Sequence, residues 1–357
     1  MKKFQANLLP LLIGSLPVDD HSEAIELVLE CTPQIPLWVQ LPVHKEERMI
    51  DQFMPGMPGL ASLKDKTFIN SAGDNFETEL LQFYEEYMAV TGGAADRDES
   101  RFVLDETVAR GFFTFMERVK RLSEPPVAVK GQSTGPFTFC ASVNDENGMA
   151  IFYNEQIRDA AVKLIAQKAG WQAKKMAEFG CPVILFFDEP GLTGFGSSAF
   201  ISITREEVAA CFEEVIEAVH AEGGFAGVHV CANADWSLIL ESAADIVSFD
   251  AYSFFEKFLL YPEQIKNFLA SGRILAWGII PTLRAEDIEK ENVDSIVANW
   301  EEKVSQLEKL GISRSKIVTQ SLITPSCGTG SLSLEHAKKV LRMTKEVSDI
   351  LKEKYKI

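Results

Sequence analysis

Three residues of the sequence could together hold a metal ion. His229 and Cys231 stand two positions apart in the apolar run GVHVC, and Cys327 lies in the turn PSCGTG after a later apolar run. Residues two apart on a β-strand point to the same side, so the imidazole and the first thiolate would converge. Zinc is commonly bound by such ligands, and three protein ligands leave one position for a substrate. The pattern predicts a catalytic zinc site, although His-x-Cys alone also fits a histidine beside a buried cysteine.

Asp250 is the candidate for a further zinc ligand. It ends the apolar run DIVSFD, where its carboxylate could bind the metal directly or support the other ligands. An acid in this position could instead cap the helix that follows, and the sequence leaves both roles open.

Two further motifs could bind the polar part of a small substrate. Asp188 and Glu189 follow the very apolar run VILFF, where carboxylates fit an amine-binding or acid/base site, with a salt bridge at the rim as the alternative. We expect Asp188 to contribute more, because it comes first after the strand. Gly14 and Ser15 offer backbone N–H groups and a hydroxyl suited to a small carboxylate, although the same residues could form a simple turn.

These motifs lie within a regular alternation of predicted strands and helices, and each motif ends or follows a strand. Short apolar runs predict eight strands, and the amphipathic segments between them predict helices. This order is typical of an α/β chain that folds as a (β/α)8 TIM barrel, with a doubly wound sheet plus a helical subdomain as the alternative. Residues 1–357 would form a single barrel, with a helical insertion at about residues 42–124 between the second and third strands. The predicted strands are residues 8–15, 35–41, 127–131, 183–187, 227–231, 245–249, 274–280 and 317–322.

A barrel also predicts where the chemistry lies. Catalytic groups of such proteins are found at the carboxyl ends of the strands. Ser15 ends the first predicted strand, Cys231 the fifth, and Asp250 follows the sixth, while Asp188 and Cys327 follow the fourth and eighth. We therefore expect all these side chains to meet at one end of the barrel.

The composition limits the partners. There are 35 basic against 52 acidic residues, a formal net charge of −17, which disfavours nucleic acids and anionic membrane surfaces. No apolar run reaches the roughly 18 residues of a membrane span. The six cysteines are scattered and form no disulfide framework, so we expect a cytoplasmic protein.

With these residues identified, the sequence resembles the catalytic C-terminal barrel of cobalamin-independent methionine synthase, within the barrel superfamily that also contains uroporphyrinogen decarboxylase. The resemblance covers nearly the whole chain, through IGSLP, KG, TGP, DEP, HVC, DIVSFD, WGI and PSCG in that order. It implies that zinc is bound by the His-x-Cys pair, a carboxylate and the late cysteine, and that Ser15 and Asp188 hold the amino-acid part of homocysteine. The implied activity is zinc-dependent methyl transfer to this small-molecule thiol, giving methionine.

Three departures from that family bear on the methyl donor. The zinc carboxylate is usually Glu, whereas Asp250 is one methylene shorter. The acid-donating histidine expected beyond Gly278 is missing from residues 279–284, and the additional N-terminal barrel that helps with folate has no counterpart. These departures favour a donor whose leaving group needs no proton, such as methylcobalamin on a corrinoid protein. Methyltetrahydrofolate stays an alternative.

Two other functions fit the same motifs. A methylcobamide:coenzyme M-type methyltransferase shares the His-x-Cys and late-cysteine pattern, but its sulfonate acceptor would need a cationic pocket, which the sequence analysis does not identify. A zinc- or ligand-binding barrel without catalytic activity is the second alternative.

Overall fold

The computed structural model describes residues 4–64, 66–197 and 200–357. Its central feature is a curled parallel sheet in which β3 to β8 lie side by side in chain order. β1 and β2 form a separate antiparallel hairpin. The strands are β1 (Leu60–Leu63), β2 (Lys66–Ile69), β3 (Val129–Thr134), β4 (Val183–Asp188), β5 (Phe225–Val230), β6 (Ile246–Phe249), β7 (Ile274–Ile280) and β8 (Ser321–Pro325).

Helices connect the successive parallel strands and cover one face of the sheet. Several begin where the sequence offers a cap, as at α6, where Thr204 and Glu207 form a capping box. The helices are α1 (His21–Cys31), α2 (Phe76–Thr91), α3 (Arg110–Lys120), α4 (Pro136–Ser142), α5 (Glu155–Met176), α6 (Arg205–Ala221), α7 (Trp236–Leu240), α8 (Ala251–Phe258), α9 (Pro262–Ala270), α10 (Ala285–Lys290), α11 (Val293–Lys309), α12 (Arg314–Thr319) and α13 (Leu334–Tyr355).

The first two predicted strands, residues 8–15 and 35–41, do not form regular strands, and isolated parallel bridges join these two segments to the sheet. Pro10 pairs with Ile323 of β8, and Leu37 pairs with Lys130 of β3. The two segments are joined to each other between Ser15 and Gln40. Prolines interrupt both segments, and each removes an N–H that a regular ladder would use. The structure confirms an α/β fold with a curled six-stranded sheet, whereas the complete eight-stranded barrel stays a prediction.

The alternation of side chains explains why polar groups collect at one end. A small apolar cluster from the strands and from the chain segments beside them, with no helix residue in it, occupies the inner face of the curled sheet and includes Ile184, Phe186 and Ile246. Two residues further along β4 and β6, the same face presents Asp188 and Ser248. The inner face therefore changes from apolar to polar at the carboxyl ends of the strands.

The predicted insertion has more structure than helices alone. Besides α2 and α3, its described residues form the β1–β2 hairpin and three single 3-10 turns, Lys45–Glu47, Asp51–Phe53 and Arg97–Glu99. The eighth predicted strand begins four residues too early. Its first three residues, Ile317, Val318 and Thr319, lie in α12, which Ser313 caps by accepting the Lys316 N–H.

Within the described part of the chain, no helix combines the length and the apolar character needed to cross a membrane.

Candidate metal centre and substrate cavity

The structure brings the three predicted metal-binding side chains together. The ligand atoms of His229, Cys231 and Cys327 all lie within 4.8 Å of one another. His229 lies in β5 with Cys231 just after it, and Cys327 lies two residues after the end of β8. The parallel arrangement of the strands accounts for the convergence, because their carboxyl ends meet at one edge.

His229 is oriented by a residue that the sequence analysis did not identify. Its Nδ1 lies 2.9 Å from Oγ of Ser248, which is its register partner on β6. Its Nε2 is buried and has no hydrogen-bond partner among the described residues. A buried polar atom without a partner is costly unless something absent from the protein chain binds it. One free imidazole nitrogen facing two thiols is a donor set that fits Zn2+.

The two cysteines influence each other directly. A hydrogen bond from Cys327, with a further contribution from His229, lowers the pKa of Cys231. The same bond, together with burial, raises the pKa of Cys327. The first ionisation of the pair is therefore favoured and the second opposed. A divalent cation between them would favour the doubly ionised state, because it offsets the repulsion of the two thiolates.

The turn that carries Cys327 is fixed by Ser15. The Ser15 hydroxyl accepts a hydrogen bond from the Gly330 N–H at 3.2 Å. The Ser15 backbone carbonyl oxygen accepts a second one from the Thr329 N–H at 2.9 Å. A side chain at Gly328 would overlap Ser15 Oγ, so this close approach requires glycine. Ser15 thus holds the segment from which Cys327 projects, in addition to lining the cavity described below.

Asp250 lies outside the group of three ligands. Its Oδ1 accepts the Ser253 N–H at 2.8 Å and caps the N-terminus of α8. Burial raises its pKa to about 6. Of the two roles left open by the sequence, the structure contains the cap, and metal binding by Asp250 stays a prediction.

Asp188 and Glu189 point in different directions. Asp188 Oδ1 is buried without a hydrogen-bond partner among the described residues, and burial raises the pKa of its carboxyl group. Glu189 instead accepts the Phe137 and Thr138 N–H groups and the Thr138 hydroxyl at 2.6–2.9 Å, which caps α4. Burial raises the pKa of Glu189 to about 7. Asp188 is therefore available to a substrate, while Glu189 is engaged within the fold.

The three metal-binding side chains and Asp188 line one cavity of about 350 Å³. Neither Glu189 nor Asp250 lines it, and part of its wall comes from the predicted insertion. Arg48 is the notable member of that part, since it supplies a cation where the sequence analysis expected none. The cavity is lined by the predicted residues Gly14, Ser15, Asp188, His229, Cys231 and Cys327, and by Pro42, Glu47, Arg48 and Met49 of the insertion.

Comparison with known proteins gives a likeness in fold. No protein-family model matches the sequence, and no curated protein matches it. A methyltransferase from Methanosarcina mazei is similar with a TM-score of 0.53 at 13% identity, over 96% of this chain and 99% of that one. A structure of the pneumococcal virulence factor StrH has a TM-score of 0.47 at 8% identity, over 96% of this chain and 83% of that one. A D-tagatose 3-epimerase-like protein has a TM-score of 0.42 at 16% identity, over 71% and 89%.

At these identities the likeness concerns the fold alone. The similarity to the Methanosarcina methyltransferase therefore shows a shared fold. No family match confirms the narrower resemblance to methionine synthases.

Proposed function

We propose that this protein is a zinc-dependent methyltransferase that moves a methyl group to a thiol, with homocysteine as acceptor and methionine as product. The observation that carries the proposal is the convergence of His229, Cys231 and Cys327 on a cavity that Asp188 also lines. The Asp188 Oδ1 atom is buried and has no hydrogen-bond partner among the described residues. The fold likeness to a Methanosarcina methyltransferase supports the reaction class. The resemblance of the motifs to methionine synthases supports the acceptor.

The metal would be held by Nε2 of His229 and by the sulfur atoms of Cys231 and Cys327. Bound zinc supplies positive charge that lowers the pKa of a substrate thiol, so that the thiol reacts as a thiolate at neutral pH. Ser248 keeps the His229 ring turned so that Nε2 faces this position.

Asp188 would bind the ammonium group of homocysteine. Its buried oxygen lacks a partner in the described structure, and an ammonium donor would satisfy both its hydrogen-bonding capacity and its charge. Holding the amino-acid end in this way positions the sulfur for reaction at the metal end of the same cavity.

The histidines favour a methyl donor whose leaving group needs no proton. The chain has five, of which only His229 lines the cavity, and the other four contact carboxylates or a backbone carbonyl elsewhere. No second imidazole is thus available there to protonate a leaving folate nitrogen. A methyl-corrinoid protein avoids this need, because the cobalt–carbon bond breaks with its electron pair left on cobalt while the sulfur–carbon bond forms.

A methyl-transfer assay tests the proposal. The zinc-loaded protein is supplied with homocysteine and either methylcobalamin or methyltetrahydrofolate, and methionine is measured. Formation of methionine that is lost in Cys327→Ser but kept in Cys211→Ser, a buried cysteine of α6, supports the proposal. No methionine with either donor contradicts homocysteine as the acceptor.

The second candidate is transfer to 2-mercaptoethanesulfonate, the acceptor of a coenzyme M-type enzyme. Arg48 on the cavity wall favours it, since a sulfonate needs a cation. The Asp188 carboxylate in the same cavity opposes it, since this acceptor has no ammonium group. The same assay with this thiol decides between the two acceptors, and a protein that holds zinc without methylating either thiol would be a non-catalytic binder.

A further inference from the structure

Arg48 is a cation on the cavity wall that has no acidic partner among the described residues. Its Nε makes a long hydrogen bond, 3.4 Å, to the Pro42 carbonyl oxygen. The ion pairs of the described residues leave it out, although this acidic protein pairs Arg97, Arg101 and Arg118 with glutamates. The Arg48 side chain is exposed, lines the cavity and takes part in no ion pair among the described residues, so it is available for an anionic ligand.

The backbone of Arg48 is fixed on both sides. Its N–H donates to the Lys45 carbonyl oxygen at 3.2 Å, and its own carbonyl oxygen accepts the Gln52 N–H at 2.9 Å. The preceding residue, Glu47, is buried and accepts hydrogen bonds from His21 at 2.6 Å and from the Leu41 N–H at 3.0 Å. Glu47 therefore has partners of its own, and Arg48 starts from an anchored position.

Buried polar contacts also attach this segment to the sheet. The Met49 carbonyl oxygen accepts a hydrogen bond from the Thr134 hydroxyl at the end of β3. Gln52 accepts from Gln40 at 2.6 Å and donates to the Val108 carbonyl oxygen. Such anchoring reduces the ordering cost that a mobile loop would add to ligand binding.

We propose that Arg48 binds the carboxylate of the thiol substrate, while Asp188 binds its ammonium group. The inference rests on the proposed function, since it places the sulfur of the same molecule at the metal-binding side chains. A guanidinium can hold both oxygens of a carboxylate through paired hydrogen bonds. A thiol without an amine leaves the buried Asp188 oxygen without a partner, and a thiol without a carboxylate loses the attraction of Arg48. Together the two contacts select for a zwitterionic amino-acid thiol.

Three thiols separate the two contacts. Homocysteine carries both charged groups, 4-mercaptobutyrate lacks the amine, and 3-aminopropane-1-thiol lacks the carboxylate. Their dissociation constants are measured by titration calorimetry on the zinc-loaded protein, so that the readout does not depend on the methyl donor. Because Arg48 is exposed, we expect Arg48→Gln to weaken the binding of homocysteine and of 4-mercaptobutyrate by about 3- to 10-fold, and to leave the binding of 3-aminopropane-1-thiol unchanged. Asp188→Asn should weaken the binding of homocysteine and of 3-aminopropane-1-thiol and leave the binding of 4-mercaptobutyrate unchanged.

Two further variants sharpen the test. Arg48→Lys keeps the charge but loses the paired hydrogen bonds, so its affinity for homocysteine should fall between those of the wild type and Arg48→Gln. Arg121→Gln removes an exposed arginine just after α3, and should bind all three thiols as the wild type does.

The outcomes distinguish this inference from the proposed function. Failure of the wild-type protein to bind any thiol would contradict the proposed function itself. An equal loss of affinity for all three thiols in Arg48→Gln would show that Arg48 has a structural role. That result would overturn this inference but not the proposed function. Another pair of results would assign Arg48 to a sulfonate and overturn its contact with a carboxylate. The wild type would bind 2-mercaptoethanesulfonate more tightly than homocysteine, and this binding would be lost in Arg48→Gln but unchanged in Asp188→Asn.

Discussion

Ser248 Oγ lies 2.9 Å from Nδ1 of His229, on the neighbouring strand, and this contact leaves the buried Nε2 as the free nitrogen. The contact sets which imidazole nitrogen is offered to a metal, because the proton position on a histidine ring follows the hydrogen bond made by the other nitrogen.

Removal of this contact should weaken metal binding. In Ser248→Ala we expect zinc affinity to fall about 10-fold or more, since the ring loses its fixed orientation. Competition with a chromogenic chelator measures the affinity. Ser271→Ala, which removes an exposed hydroxyl after α9, is the control. Unchanged affinity in Ser248→Ala would mean that Ser248 does not orient the ligand.

Substitutions of Glu189 and Asp188 should affect different properties. Glu189 should matter for stability and Asp188 for the binding of homocysteine. Glu189→Gln places an amide group against the Phe137 and Thr138 N–H donors, and should lower the free energy of unfolding by about 1–3 kcal/mol. Its homocysteine affinity should stay near that of the wild type, in contrast to Asp188→Asn. Chemical denaturation and calorimetry provide the two values. Weaker homocysteine binding without a loss of stability would restore Glu189 to the substrate site that the sequence predicted.

Lys168 should make stability depend on pH. It is fully buried in α5 and donates to the carbonyl oxygens of Phe53 and Pro55 at 3.2 and 2.7 Å. Burial lowers its pKa from 10.5 to about 7. Between these values the unfolded chain binds more protons than the folded one. The Lys168 contribution to the free energy of unfolding therefore rises with pH across this window, by up to about 1.4 kcal/mol per pH unit, and is lost as the pH falls towards 7.

Lys168→Met should remove that part of the pH dependence. Denaturation at several pH values from 7 to 10 gives the slope, with Lys174→Met, at an exposed position of the same helix, as the control. The same slope in Lys168→Met and the wild type would contradict the assigned pKa shift.

The predicted metal-binding residues depend on rules that are local in sequence. His229 and Cys231 share a side because side chains alternate along a strand, and Cys327 could be placed because parallel strands end at one edge. The same alternation, applied one residue further, could have separated Asp188 from Glu189. The strand β4 presents Asp188 on the inner face, so the next carboxylate turns away from it.

Other features depend on contacts between distant parts of the chain. Ser248 can orient His229 only because the register of β5 against β6 places the two residues side by side. The sequence around Ser248 does not reveal this register. Arg48 lies in the insertion, and its position follows from long-range contacts of Glu47, Met49 and Gln52. The sequence alone likewise leaves the capping role of Asp250 open, because that role depends on where α8 begins.

Zinc X-ray absorption, with and without homocysteine, tests the central claim most directly. The account predicts that zinc in the protein alone has two sulfur ligands, from Cys231 and Cys327, and that homocysteine adds a third. An unchanged sulfur count on addition of homocysteine, or zinc bound without the two cysteines, would contradict a zinc site that activates a thiol.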